Sequence, residues 1–81
     1  MALNKLMAAL EAATLPPPAE RKQIRLDAGA SLRDVGEALG VGAATAWKWE
    51  KGTVTPRLHH RKLYGTLLRR LKAAAAAREA A

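Results

Sequence analysis

The chain has 81 residues, 49% hydrophobic and 26% charged, with no cysteine and a formal net charge of +7. That length allows one small domain with a limited core, and the lack of cysteine excludes disulfides and thiolate metal sites. No apolar run approaches the roughly 20 residues of a membrane span and nothing resembles a signal peptide, so a soluble protein of the cytoplasm, without a membrane partner, is expected.

Residues 2–14 place Leu3, Leu6, Met7 and Leu10 at three-and-four spacing, a narrow apolar stripe flanked by alanines that reads as an amphipathic helix. Such a helix is marginal alone, so it has to dock, either over the core or on a second copy. Pro16, Pro17 and Pro18 form a stiff break, and Pro18 suits the first turn of a second helix running to about Ala28.

Val35 and Leu39 share one face of a short third helix, with Gly36 beside them leaving room for close backbone approach. Ser31 and Asp34 have capping-box spacing at its start, and Gly40 suits the left-handed residue that ends it. Val41 should plug the turn into the core. After Gly42 a fourth helix sets Ala46 and Trp49 on one face and Ala43, Ala44, Trp47, Lys48 and Lys51 on the other. Trp47 and Trp49 lie about 200° apart around a helix, so only one can be buried. We expect Trp49 inside, and Trp47 either in a groove contact or as a lid on another element or a dimer mate.

Thr53 to Pro56 reads as a loop, and Arg57 to about Ala77 as a fifth helix with Leu63, Leu67 and Leu71 in line and Tyr64 and Leu68 beside them. Gly65 weakens this helix or permits close packing; the alanine run from Ala73 favours helix but should bury little and fray. His59 and His60 are expected at its surface. Charge is uneven: residues 1–52 hold seven basic against six acidic residues and residues 53–81 seven against one, so the excess follows the fourth helix. Such a segment suits phosphate, with solvation of the helix as the bland reading.

No serine-histidine-acid arrangement, metal-ligand cluster, paired carboxylates or glycine-rich phosphate loop stands out, so no enzyme, cofactor, metal or small-molecule substrate is expected. Glu20 to Leu71 resembles the helix-turn-helix domain of lambda-repressor-like and Cro-like regulators of the xenobiotic-response-element type. The resemblance rests on Val35, Gly36, Leu39, Gly40, Val41 and Trp49, on Trp49-Glu50-Lys51-Gly52 followed by Pro56, and on Ile24, Arg25 and Gly29 upstream.

It implies an all-α, five-helix domain with an extra N-terminal amphipathic helix, divided into that helix (1–15), the helix-turn-helix domain (16–72) and an alanine-rich tail (73–81). It further implies a DNA-binding transcriptional regulator, a bacterial or phage repressor acting as a homodimer on double-stranded DNA. Ala43, Ala44, Thr45, Trp47, Lys48 and Lys51 would then face the major groove, Arg33, Arg57 and Arg61 the phosphates, and Arg25 and Glu50 would form a partly buried ion pair. Three positions depart from the family pattern. Leu32 stands where many relatives have a phosphate-contacting glutamine, Gly42 where they have a Ser or Thr cap, and Ala43 and Ala44 where they have long polar base readers. Two other readings keep the same scaffold: a protein-interaction adaptor or antitoxin, and an architectural, non-specific DNA binder.

Overall fold

The computed structural model describes residues 2–80, without the side chains at 8, 9 and 11–13; Met1 and Ala81, the outer ends of the expected first and last segments, lie outside it, as do the side chains of the alanines flanking the first apolar stripe. Its described residues form five helices and no strand: α1 Ala2–Ala13, α2 Pro18–Asp27, α3 Leu32–Leu39, α4 Ala43–Lys51 and α5 Leu58–Ala80. Four of the five lie within two residues of their expected bounds, and α5 continues three residues beyond Ala77. None is long and apolar enough to cross a membrane.

Local chemistry accounts for the boundaries. Pro18 opens α2, where its missing N–H costs nothing. At α3 the Ser31 hydroxyl accepts from the Asp34 N–H and the Asp34 carboxylate accepts from the Ser31 N–H, each at 2.9 Å, completing the capping box. The bond from the Ser31 N–H also holds the exposed Asp34 carboxyl below its usual pKa. Gly40, at φ +71°, lets the chain leave α3 in the left-handed conformation while the Val41 N–H donates back to the Gly36 carbonyl at 2.8 Å. The turn then lies so close over α3 that a Cβ on Gly36 would sit 2.7 Å from the Val41 carbonyl oxygen.

Helix α5 is the platform of the fold: α1, α2 and α3 pack on it, while α4 packs on α2 and α3. The core they enclose contains Ile24, Val35, Leu39, Ala46, Trp49, Tyr64 and Leu68, with Leu15, Leu32, Val41, Leu67 and Leu71 partly buried around it. Leu32 thus turns toward the core. On α5 the most buried positions are Tyr64, Gly65, Leu68 and Ala75, whereas Leu63 is 43% exposed. The inward stripe is therefore centred on Tyr64 and Leu68, with Leu67 and Leu71 at its edge and Leu63 turned out, and α2 approaches α5 on the Gly65 and Leu68 side.

The alanine run is also better anchored than its composition implies. Ala75 is buried against α2, and the Arg78 guanidinium donates to the Asp27 carbonyl at the end of α2. Helix α1 differs from the rest. It lies along α5, yet Leu3, Leu6, Met7 and Leu10 remain 48–68% exposed. In a single copy, then, this stripe does not cover the core.

Candidate nucleic-acid interface

Helix α4 is oriented by what it buries. Ala46, at 1% exposure, and Trp49, at 4%, face inward, and Trp49 packs its indole against His60 and Tyr64 of α5 at ring-centroid separations of 5.3 and 5.9 Å. His60 is consequently half-buried, a support for Trp49, while His59 stays at the surface. With Trp49 inside, helical geometry turns Ala43, Ala44, Trp47, Lys48 and Lys51 outward, and all five are exposed. Thr45 is half-buried and lines a shallow cleft with Val41, Val54, Pro56 and Arg57.

A buried ion pair locks this orientation. The Arg25 Nε donates to Glu50 Oε2 at 2.7 Å and its Nη2 to Glu50 Oε1 at 2.8 Å, while Nη1 donates to the Ala30 carbonyl at 3.0 Å. The hydrogen bonds to Glu50 raise the Arg25 pKa above its already high ordinary value. A planar guanidinium that meets a carboxylate through two bonds fixes angle as well as distance, so α4 cannot rotate on α2 without breaking both. Glu50 is also neutralised by the pair, which leaves Lys48 and Lys51 as the charges on the outward face of α4.

The end of α4 is tied down by a contact that the sequence reading missed. Arg21 donates from Nη1 to the Trp49 carbonyl at 2.9 Å and from Nε to the Pro16 carbonyl at 2.7 Å. The available signal was its spacing: Arg21 lies one helical turn before Arg25, so both present cations to the C-terminal end of α4, the negative end of its dipole. Beyond it Gly52 adopts φ +78°, and a Cβ there would meet Pro18 Cγ at 2.8 Å.

On the outward face the Lys51 ammonium lies 4.4 Å from the centroid of the Trp47 ring. Trp47 is 47% exposed, so part of its indole is open on this face. Gly42 caps α4 without a side-chain hydrogen bond, leaving the first turn open to an external acceptor. The three expected phosphate ligands are placed differently. Arg33 is exposed on α3 with its Nε 3.4 Å from the Glu37 carboxylate. Arg57 is exposed at the start of α5, beside Thr45 in the shared cleft. Arg61 is half-buried, with its Nε enclosed and without a hydrogen-bond acceptor.

Among the described residues no group of three or more His, Cys, Asp or Glu side chains is placed to hold a metal ion. No protein-family model, curated protein or solved structure matches the chain.

Proposed function

We propose that this chain is a sequence-specific, double-stranded DNA-binding regulator that seats α4 in the major groove. The observation that carries the reading is the outward face of α4. Its five exposed residues combine small side chains, an indole and two ammonium groups, and they are held in one orientation by the Arg25–Glu50 pair. A groove about 12 Å wide admits one helix. Small residues at the start of that helix allow its backbone to approach the base edges. The basic excess of residues 53–81, beginning at Arg57 next to the cleft below α4, supplies attraction to phosphate that is independent of sequence. A regulator bound in this way excludes polymerase from the same duplex, which makes repression the proposed outcome.

We propose further that it acts as a homodimer joined through α1. The exposed Leu3, Leu6, Met7 and Leu10 form an apolar stripe on a helix whose one lysine and one glutamate balance, on a chain of net charge +7. Two such chains repel one another least at that face. Because α1, among the described residues, packs on α5 and not on α4, pairing there leaves both α4 helices free.

The exposed α1 stripe equally favours a second reading, an adaptor that docks another protein on it. Selection of bound duplexes from a random pool separates the possibilities. Enrichment of a two-fold symmetric sequence supports the regulator; capture of DNA without enrichment indicates architectural binding. Failure to retain any duplex, together with a monomeric mass in solution, overturns the regulator in favour of the adaptor.

A further inference from the structure

The exposed face of α4 is unusual in what it lacks. Its nine residues, Ala43 to Lys51, include no Asn, Gln or Arg, so the side chains that pair bidentately with adenine are absent, only lysine remains for a bidentate guanine contact, and the one hydroxyl, on Thr45, is half-buried. The helix's one carboxylate, Glu50, could accept from the cytosine amino group, but both its oxygens are already bonded to Arg25 in the interior. Lys51 is drawn over the Trp47 ring, and both lysines lie toward the C-terminal end, whereas a recognition helix meets base edges mainly with its N-terminal residues. At that N-terminal end the exposed groups are the methyls of Ala43 and Ala44. The Trp47 indole stands one turn on from both, at i+4 and i+3, so the three make one exposed apolar surface, with the Lys51 ammonium over the indole ring.

The apolar group that base edges offer to such a surface in the major groove is the pyrimidine C5-methyl. Resting on the DNA-binding reading above, we propose that α4 selects its duplex by C5-methyl groups: the surface of Ala43, Ala44 and Trp47 takes up thymine or 5-methylcytosine and disfavours unmethylated cytosine. Specificity then arises from apolar contact at the start of the helix, with Lys48 and Lys51 providing attraction and, at most, a guanine contact at the far end.

The test uses the intact chain and a duplex enriched from the random pool. Each thymine is replaced in turn by deoxyuridine, which removes the methyl and keeps every groove hydrogen-bonding group. Affinity is expected to fall about fourfold for each contacted methyl, the effect of unburying one methyl-sized group. At the same positions a C·G pair should bind more weakly than T·A, and a 5-methylcytosine·G pair should recover most of the loss. In Trp47→Ala, checked for folding by its melting curve, the uracil penalty next to the indole should disappear. An enriched duplex whose affinity is unchanged by uracil at every position overturns methyl selection and leaves DNA binding standing. A pool with no enriched duplex overturns both.

Discussion

Arg25 and Glu50 carry the sharpest consequence of any two residues in the chain. Their side chains are 11% and 6% exposed, so each satisfies a charge that would otherwise stand alone in a shielded site. Glu50→Ala and Arg25→Ala should each destabilise the fold by about 3 kcal/mol, because either change strands the other partner. The double variant should cost clearly less than the two together. Chemical denaturation of all four proteins checks this, and additive losses would mean that the two charges are not coupled. Tyr64, 1% exposed, makes a second prediction. Burial is the main cause that raises its pKa above the ordinary value of 10.0. Its share of stability is fully present below pH 10 and is lost as pH climbs through the raised folded-state value, because the unfolded chain releases the phenolic proton first. Stability measured from pH 8 to 11 should therefore fall more steeply in wild type than in Tyr64→Phe; parallel curves would remove Tyr64 as the cause.

At the scale of the element, the rotation of α4 decides which residues a partner meets. Trp49→Ala should leave a cavity beneath His60 and Tyr64 and cost roughly 3 to 5 kcal/mol, a large part of what a small domain possesses. Trp47→Ala forfeits a cation–π contact with Lys51 worth only about 0.5 to 1 kcal/mol at an exposed site, so its melting temperature should move by a few degrees. Specific DNA binding should nevertheless weaken by about 1.5 to 3 kcal/mol, the order of burying a large apolar side chain in the complex. Melting curves and titrations of the two variants test both statements, and the opposite assignment of effects would mean a rotated helix. For α1 the expectation is different. Leu6→Lys combined with Leu10→Lys alters two side chains more than half exposed, so the fold should persist while the mass in solution drops from dimer to monomer and operator affinity falls. An unchanged mass would remove α1 as the pairing surface.

On the scale of the whole molecule the separation of most of the charge from α4 matters most. Lys48 and Lys51 lie on α4, while the +6 excess belongs to residues 53–81, so on the proposed reading most of the attraction to phosphate comes from outside the helix that selects the duplex. Binding should weaken steeply with salt, with a logarithmic slope of about 0.9 per neutralised phosphate. Lys48→Ala and Arg57→Ala should each reduce that slope by about one. Arg61→Ala should reduce it less, since Arg61 is half-buried with its Nε enclosed. Titrations between low and physiological salt measure these slopes, and identical slopes in wild type and in Lys48→Ala and Arg57→Ala would count against the phosphate contacts.

Boundaries and faces were legible from short-range pattern. Pro18, the Ser31–Asp34 box and Gly40 act through their own backbone neighbours, so their effects are written within three or four residues of each. The separation of Trp47 from Trp49 follows from helical periodicity alone, and this is why the outward face of α4 is legible in the sequence. What tertiary structure decided are the matters that depend on distant segments meeting. The inward stripe of α5 is set by where the other helices press against it, which selects Tyr64, Gly65, Leu68 and Ala75 over Leu63. Ala75 and Arg78 are recruited because the end of α2 happens to reach them, and no local propensity signals that contact. Arg21 finds the Trp49 carbonyl across 28 residues, and the exposure of the α1 leucines emerges only once the other helices have filled the core without them. Local conformation depends on steric and hydrogen-bonding terms between near neighbours, whereas burial depends on the competition of all the apolar faces for one limited core.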